Sequence, residues 1–165
     1  MADVIAEAPA TRVLAAARAR GWRIATAESC TGGLVAAALT DIAGSSDVVD
    51  RGFVTYSNAA KTAMLGVDPA LILVHGAVSE PVARAMAEGA LARSDAQLAI
   101  AITGVAGPGA SEAKPEGLVW FAVATAAGVA ADRRDFGPLG RATVRLRSVE
   151  AALDLALGAL HAPQD

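Results

Sequence analysis

Cysteine, tyrosine, lysine and histidine are all scarce in this chain. Its 165 residues include one cysteine (Cys30), one tyrosine (Tyr56), two lysines (Lys61 and Lys114) and two histidines (His75 and His161). A lone cysteine excludes an internal disulfide and suits a reducing compartment, so a cytoplasmic protein is expected. Aromatic residues make up only 4%, which leaves Ala, Val and Leu to pack the core. No apolar run approaches the ~20 residues of a membrane-spanning helix. No CxxC, HExxH or paired-histidine spacing occurs, so neither a metal nor another cofactor is expected. Basic charge is not in excess. A formal net charge of -3 speaks against a nucleic-acid binder built on bulk electrostatics. The N-terminal run Met1-Ala2-Asp3-Val4-Ile5-Ala6-Glu7 lacks the basic start of a signal peptide. There is no internal repeat and no linker-like stretch. One domain over 1–165, with its core at about 10–160, is the expected organisation.

What is present is a chain 54% hydrophobic and 19% charged, enough to bury a sizeable core. Its patterning alternates helix and strand. Thr11 to Arg20 reads as an amphipathic helix stopped at Gly21, and Trp22 to Ala27 as a buried strand. Thr31 to Ile42 reads as a helix, Gly44 to Asp47 as a loop, and Gly52 to Tyr56 as a strand. Asn58 suits the N-cap of a short helix from Ala59 to Leu65, ended by Gly66. Asp68 to Gly76 fits helix or strand. Ser79-Glu80-Pro81 marks a helix start, with Ser79 as N-cap and the helix running to about Ser94. Leu98 to Ile102 is a continuous apolar run, as in a strand buried on both faces. Leu118–Thr125 and Val129–Phe136 read as a hairpin around Ala126-Ala127-Gly128. A last helix runs from about Arg141 to Leu160. The order implies an α/β fold with a mostly parallel sheet, one late antiparallel strand, and helices on both faces. The loops after Ala27, Tyr56 and Thr103 should gather at one sheet edge, where ligands bind in open α/β sheets.

The first of those loops carries the densest signal. In Thr26-Ala27-Glu28-Ser29-Cys30-Thr31-Gly32-Gly33, a strand ends in a tight turn that opens a helix. Such a turn can lift a side chain above the sheet edge, and the free N–H groups of the helix start can hold an anion or oxyanion. Gly32 and Gly33 leave that backbone open to a ligand. Ser29 and Cys30 offer adjacent nucleophiles. A serine here fits equally well as a simple helix cap.

A Ser-His-Asp triad is poorly supplied. His161 lies near the chain end, and His75 sits in a segment of open structure. A serine–lysine pair is the alternative. With twelve arginines to two lysines, surface charge does not need lysine. Lys61 therefore invites a role that arginine cannot fill, since a buried lysine can lose its proton. Tyr56, five positions earlier, could relay a proton or orient a substrate. Taken singly, Lys61 also fits a solvated helix residue and Tyr56 a half-buried strand aromatic. The run Gly104-Val105-Ala106-Gly107-Pro108-Gly109 is neither a dinucleotide-binding GxGxxG nor a Walker A loop. The connection from Gly104 to Glu116 is long for a bare surface loop.

Taken in order, these segments resemble a known family. Thr26–Gly33, Gly52-Phe53-Val54-Thr55-Tyr56-Ser57-Asn58 with Lys61 and Leu65-Gly66-Val67, Gly76-Ala77-Val78-Ser79-Glu80, and Thr103–Gly109 are similar to motifs of the CinA C-terminal domain family, the nicotinamide-nucleotide amidohydrolases. The likeness covers roughly residues 10 to 160. It implies a three-layer α/β/α sandwich and hydrolysis of nicotinamide mononucleotide to nicotinate mononucleotide and ammonia. It implies Ser29 as nucleophile with Lys61 and Tyr56 as activating partners. Thr31, Gly32, Gly33, Thr103 and Gly104 would contact substrate. Arg141 would bind the phosphate, with Arg145 its competitor and Lys114 next in line. The expected partners are a small nucleotide substrate and further copies of the chain, not nucleic acid or a membrane. The chain departs from the family where Pro138-Leu139-Gly140-Arg141 lacks the aspartate of a common Gly-Asp-Arg. Its glycine loop is also less glycine-rich. A catalytically silent nucleotide-binding or regulatory domain is the alternative to an enzyme.

Overall fold

Small and large side chains alternate along the strands, and this alternation builds two unequal layers. In the computed structural model, which describes residues 2–163 and the side chains of 7–163, five strands form one sheet. They are β1 (Ile24–Glu28), β2 (Val49–Val54), β3 (Leu98–Gly104), β4 (Leu118–Thr125) and β5 (Gly128–Asp135), in the order β2-β1-β3-β4-β5. β1 pairs in parallel with β2 and β3, and β4 runs antiparallel between β3 and β5. The helices are α1 (Ala2–Arg20), α2 (Leu34–Thr40), α3 (Asn58–Leu65), α4 (Pro69–His75), α5 (Glu80–Ala92) and α6 (Arg141–His161).

Ile24, Leu98, Ile100, Ile102, Val119 and Phe121 project from one face into a cluster shared with α1, α2 and α6. Ala25, Ala27, Ala99, Ala101, Ala122 and Ala124 project from the other toward α3, α4 and α5. Side chains at successive strand positions point to opposite faces, so this residue pattern yields the α/β/α sandwich directly. The alanine face lets α5 lie close. On α5, Gly89 faces the end of α3, and a Cβ built there would fall 2.0 Å from the Leu65 carbonyl oxygen. That approach draws α3 against the layer.

Several boundaries differ from the sequence reading, each for a physical reason. α2 begins at Leu34 rather than Thr31, because Gly32 and Gly33 take φ of +59° and +106°, left-handed values that a right-handed helix excludes. β2 ends at Val54, so Thr55 and Tyr56 leave the strand. Ser57, not Asn58, caps α3, its hydroxyl accepting the Ala60 N–H at 3.0 Å. The open segment 68–76 is helix α4, capped by the Asp68 carboxylate. Ser79 holds the N-cap position of α5 as expected, but its hydroxyl donates to the Gly76 carbonyl and makes no capping bond. α1 extends well before Thr11 and carries Pro9 inside it. Met1, which opens the acidic N-terminal run, lies outside the described residues. No helix among the described residues is long and apolar enough to cross a membrane.

From β1 the chain moves outward to β2, and from β3 it moves the other way to β4. The loops at the carboxyl ends of β1 and β3 therefore part, which opens the crevice expected at such a switch point.

Candidate active site

Ser29 follows β1 directly, and its N–H donates to the Ile102 carbonyl of β3 at 2.9 Å. Continuing the alternation of Ala25 and Ala27 places it on the face that α3 covers. Lys61 comes from the second turn of α3, four residues before Leu65, and shares that helix's buried side. Its side chain is 1% exposed. Its Nζ lies 2.9 Å from Ser29 Oγ and 2.8 Å from the Thr55 carbonyl oxygen. Thr55 is itself fixed, its N–H donating to the Glu28 carbonyl. Burial holds the Lys61 ammonium below its usual range, and the Glu112 carboxylate opposes that shift. A lysine so placed, with a carbonyl to hold one N–H, can present its lone pair to a serine hydroxyl.

A cavity of about 270 Å³ opens over this pair, lined among others by Cys30, Tyr56, Thr103, Gly104 and Arg141. Tyr56 is well exposed, and its hydroxyl accepts from the Arg141 guanidinium at 2.6 Å. Arg141 also donates to the Gly107 carbonyl, so it bridges the two sides of the cavity mouth. Thr103 lines the cavity, but its hydroxyl donates to the Ala77 carbonyl and holds the α4–α5 connection. A Cβ on Gly104 would meet Val119 Cγ2 at 2.7 Å, so strand packing alone accounts for glycine there.

The α2 turn is not the open anion cradle that the motif suggested. Glu28 is buried, and its carboxylate accepts from the Thr31 hydroxyl and from the N–H groups of Gly33, Val35 and Ala36. The Gly32 N–H donates to the Ser29 carbonyl. Gly32, Gly33 and the Thr31 hydroxyl are therefore already engaged. The N–H groups of Cys30 and Thr31 have no acceptor among the described residues. Cys30 is buried, and burial pushes its thiol up to about 12, so it is a thiol, not a thiolate, at neutral pH. Arg145 lies behind the turn and donates to the Cys30 and Thr31 carbonyls. Of the two arginines, only Arg141 faces the cavity. Lys114 reaches the His75 and Val78 carbonyls instead. Glu28, Thr55 and Glu112 escaped the sequence reading. For Glu28 a signal existed, since an ionisable residue ending a buried strand must have partners.

Known proteins are similar to this chain in sequence and in fold. The profile of the CinA C-terminal domain matches residues 6–160. The chain belongs to the CinA C-terminal domain family. It is 54% identical over 139 residues to a nicotinamide-nucleotide amidohydrolase PncC of Escherichia coli strain K12, covering 84% of each. It is 58% identical over 146 residues to a CinA-like protein of Mycolicibacterium gilvum, covering 88% of this chain but only 35% of that one. The chain thus spans about a third of the length of that longer relative. A crystal structure of the competence/damage inducible protein CihA from Agrobacterium tumefaciens superposes with a TM-score of 0.91 at 49% identity, covering 96% of both chains.

Proposed function

We propose that this chain hydrolyses the carboxamide of nicotinamide mononucleotide, giving nicotinate mononucleotide and ammonia. The observation that carries the reading is the buried Lys61 Nζ at 2.9 Å from Ser29 Oγ. The similarity to an amidohydrolase named for a nicotinamide nucleotide supplies the substrate class.

The geometry supports the following steps. Ser29 Oγ attacks the carboxamide carbon while neutral Lys61 takes the hydroxyl proton. The 2.9 Å contact serves this transfer directly, so no relay through Tyr56 is needed. The oxyanion turns to the Cys30 N–H, with that of Thr31 beside it. Lys61 returns the proton to the departing nitrogen, and ammonia leaves. Water then attacks the acyl-serine as Lys61 takes its proton, and Lys61 returns that proton to Ser29 Oγ as the ester bond breaks and the nicotinate product departs. Arg141 turns its guanidinium to the 5'-phosphate, and Tyr56 orients it. The test is ammonia release from nicotinamide mononucleotide by the purified chain and by Ser29→Ala. Release by wild type but not by the variant is expected. Equal release by both would remove Ser29 from the reaction.

A further inference from the structure

The most heavily bonded side chain near the site is one that the steps above do not use. Glu28 is 1% exposed at the end of the central strand β1. One carboxylate oxygen accepts from the Thr31 hydroxyl at 2.7 Å and from the N–H groups of Gly33 at 3.2 Å and Val35 at 2.9 Å. The other accepts from Ala36 at 3.0 Å. A buried carboxylate is tolerated only when it is hydrogen-bonded in this way. The donors lie three to eight positions along the chain, so the backbone from Ser29 to Gly33 is wound around a single anion. A negative charge at a helix N-terminus is also favoured by the peptide dipoles, and its bonds are charge-assisted.

Glu28 grips the other half of the pair as well. Its carbonyl accepts the Thr55 N–H at 2.8 Å, and the Thr55 carbonyl in turn accepts from Lys61. One residue thus sets the turn that displays Ser29 and the strand end that holds Lys61. It also supplies the cap for α2, which leaves the Ser29 hydroxyl free of capping duty.

We propose that Glu28 is a positioning residue for the Ser29–Lys61 pair, and that its carboxylate, by winding the 29–33 turn, fixes the distance over which the proton moves. The inference rests on the reading of Ser29 as nucleophile. Glu28→Gln keeps the size of the side chain. It replaces one accepting oxygen by an N–H₂ that cannot take the bond from Ala36 or Thr31. The turn must loosen on that side without loss of a core side chain. Displacements near 1 Å cost up to about a hundredfold in well-positioned reactions.

The test compares wild type, Glu28→Gln and Thr31→Val, the last removing the shortest of the four bonds. Circular dichroism checks the fold. Steady-state ammonia release gives kcat and KM, and a fluorophosphonate probe gives the labelling rate of Ser29 with no need for the natural substrate. In Glu28→Gln, kcat and the labelling rate should fall together, roughly tenfold to hundredfold, with KM within about threefold. Thr31→Val should show a smaller fall in both, and it decides the matter if Glu28→Gln does not fold. Unchanged labelling in a folded variant would overturn the proposal, as would a change confined to KM. If wild type labels at Ser29 but releases no ammonia, the amidase reading fails while the labelling rates still judge Glu28. If wild-type Ser29 resists the probe, the positioning role falls with the nucleophile.

Discussion

Replacing Lys61 by arginine separates a base from an anchor. Arginine keeps the charge, reaches at least as far, and donates hydrogen bonds, but it does not lose its proton near neutral pH. If Lys61 only steadied Ser29 or neutralised a phosphate, Lys61→Arg should keep most of its activity. If it takes the Ser29 proton, the variant should fail. General-base transfer contributes about 10²–10⁴-fold, which is roughly 2.7–5.4 kcal/mol at ~1.36 kcal/mol per decade. The structure favours the upper part of that range. Nζ sits at bonding distance from Ser29 Oγ, and no other described nitrogen or carboxylate makes a hydrogen bond to that hydroxyl. Lys61→Met should lose activity to a similar degree. Initial rates of ammonia release, with folding checked by thermal melting, give the comparison. A Lys61→Arg kcat within about threefold of wild type would falsify the base role.

The same lysine makes stability and activity depend on pH in a definite direction. Burial lowers the folded-state pKa from the ordinary lysine value of 10.5. Between the folded value and 10.5 the unfolded chain binds the extra proton, so this contribution to stability rises with pH across that window. It is complete above 10.5 and is lost as pH falls through the folded value. The Tm difference between wild type and Lys61→Met should therefore move in favour of wild type as pH rises. The kcat/KM of wild type should climb over the same lower limb, as free Lys61 becomes neutral.

Ser29→Ala should abolish turnover with an unchanged melting profile, and retained turnover would move attention to Cys30. Cys30→Ala should keep most activity, and the wild-type thiol should resist alkylating reagents at neutral pH, given burial that lifts its pKa to about 12. Fast alkylation with loss of turnover would contradict this. Arg141→Ala should raise KM roughly tenfold to a hundredfold, as expected for losing a charged pair of about 1.5–3 kcal/mol. Arg145→Ala should lower kcat or Tm more than KM, because its guanidinium holds the Cys30 and Thr31 carbonyls. Equal KM effects would defeat that division. Gly89→Ala should lower Tm despite gaining ~1 kcal/mol of helix propensity. The new Cβ meets the Leu65 carbonyl oxygen at 2.0 Å, and overpacking costs about 1–3 kcal/mol. Displacing α3 also shifts Lys61, so kcat should fall with it.

Much of the fold was legible because the core is built on simple periods. The run Leu98 to Ile102 reads as a strand buried on both faces, and it is one, with isoleucines on one side and alanines on the other. Segment 68–76 stayed ambiguous because buried Ile72 and half-buried Leu71 share one apolar run with Leu73 and Val74, which are exposed. Periodicity cannot be read when tertiary contacts use only part of an apolar run. The pairing of Ser29 with Lys61 was suggested by scarcity, since a chain rich in arginine kept so few lysines. Their separation of 32 positions gives no distance, and only the topology supplies one.

What the motif concealed was a competition for the same donors. Read along the chain, Ser29, Thr31, Gly32 and Gly33 all suit a helix start that greets an anion, and a ligand oxyanion was the natural occupant. In the structure the occupant is the chain's own Glu28, which takes the N–H groups of Gly33, Val35 and Ala36. A covalently tethered carboxylate meets no translational cost in reaching that position, so it outcompetes any dissolved anion of similar charge. The glycines then serve the winding of the turn as much as access to it, with left-handed φ at both Gly32 and Gly33. This moves the expected oxyanion contact one step back, from the helix start to the Cys30 N–H beside the nucleophile. Probing the Ser29 adduct for a protected Cys30 amide proton, by hydrogen exchange after fluorophosphonate labelling, decides between them. Selective protection at Cys30, with Gly33 equally protected before and after labelling, is the expected result. Fresh protection at Gly33 instead would return the oxyanion to the helix start and require Glu28 to have yielded its place.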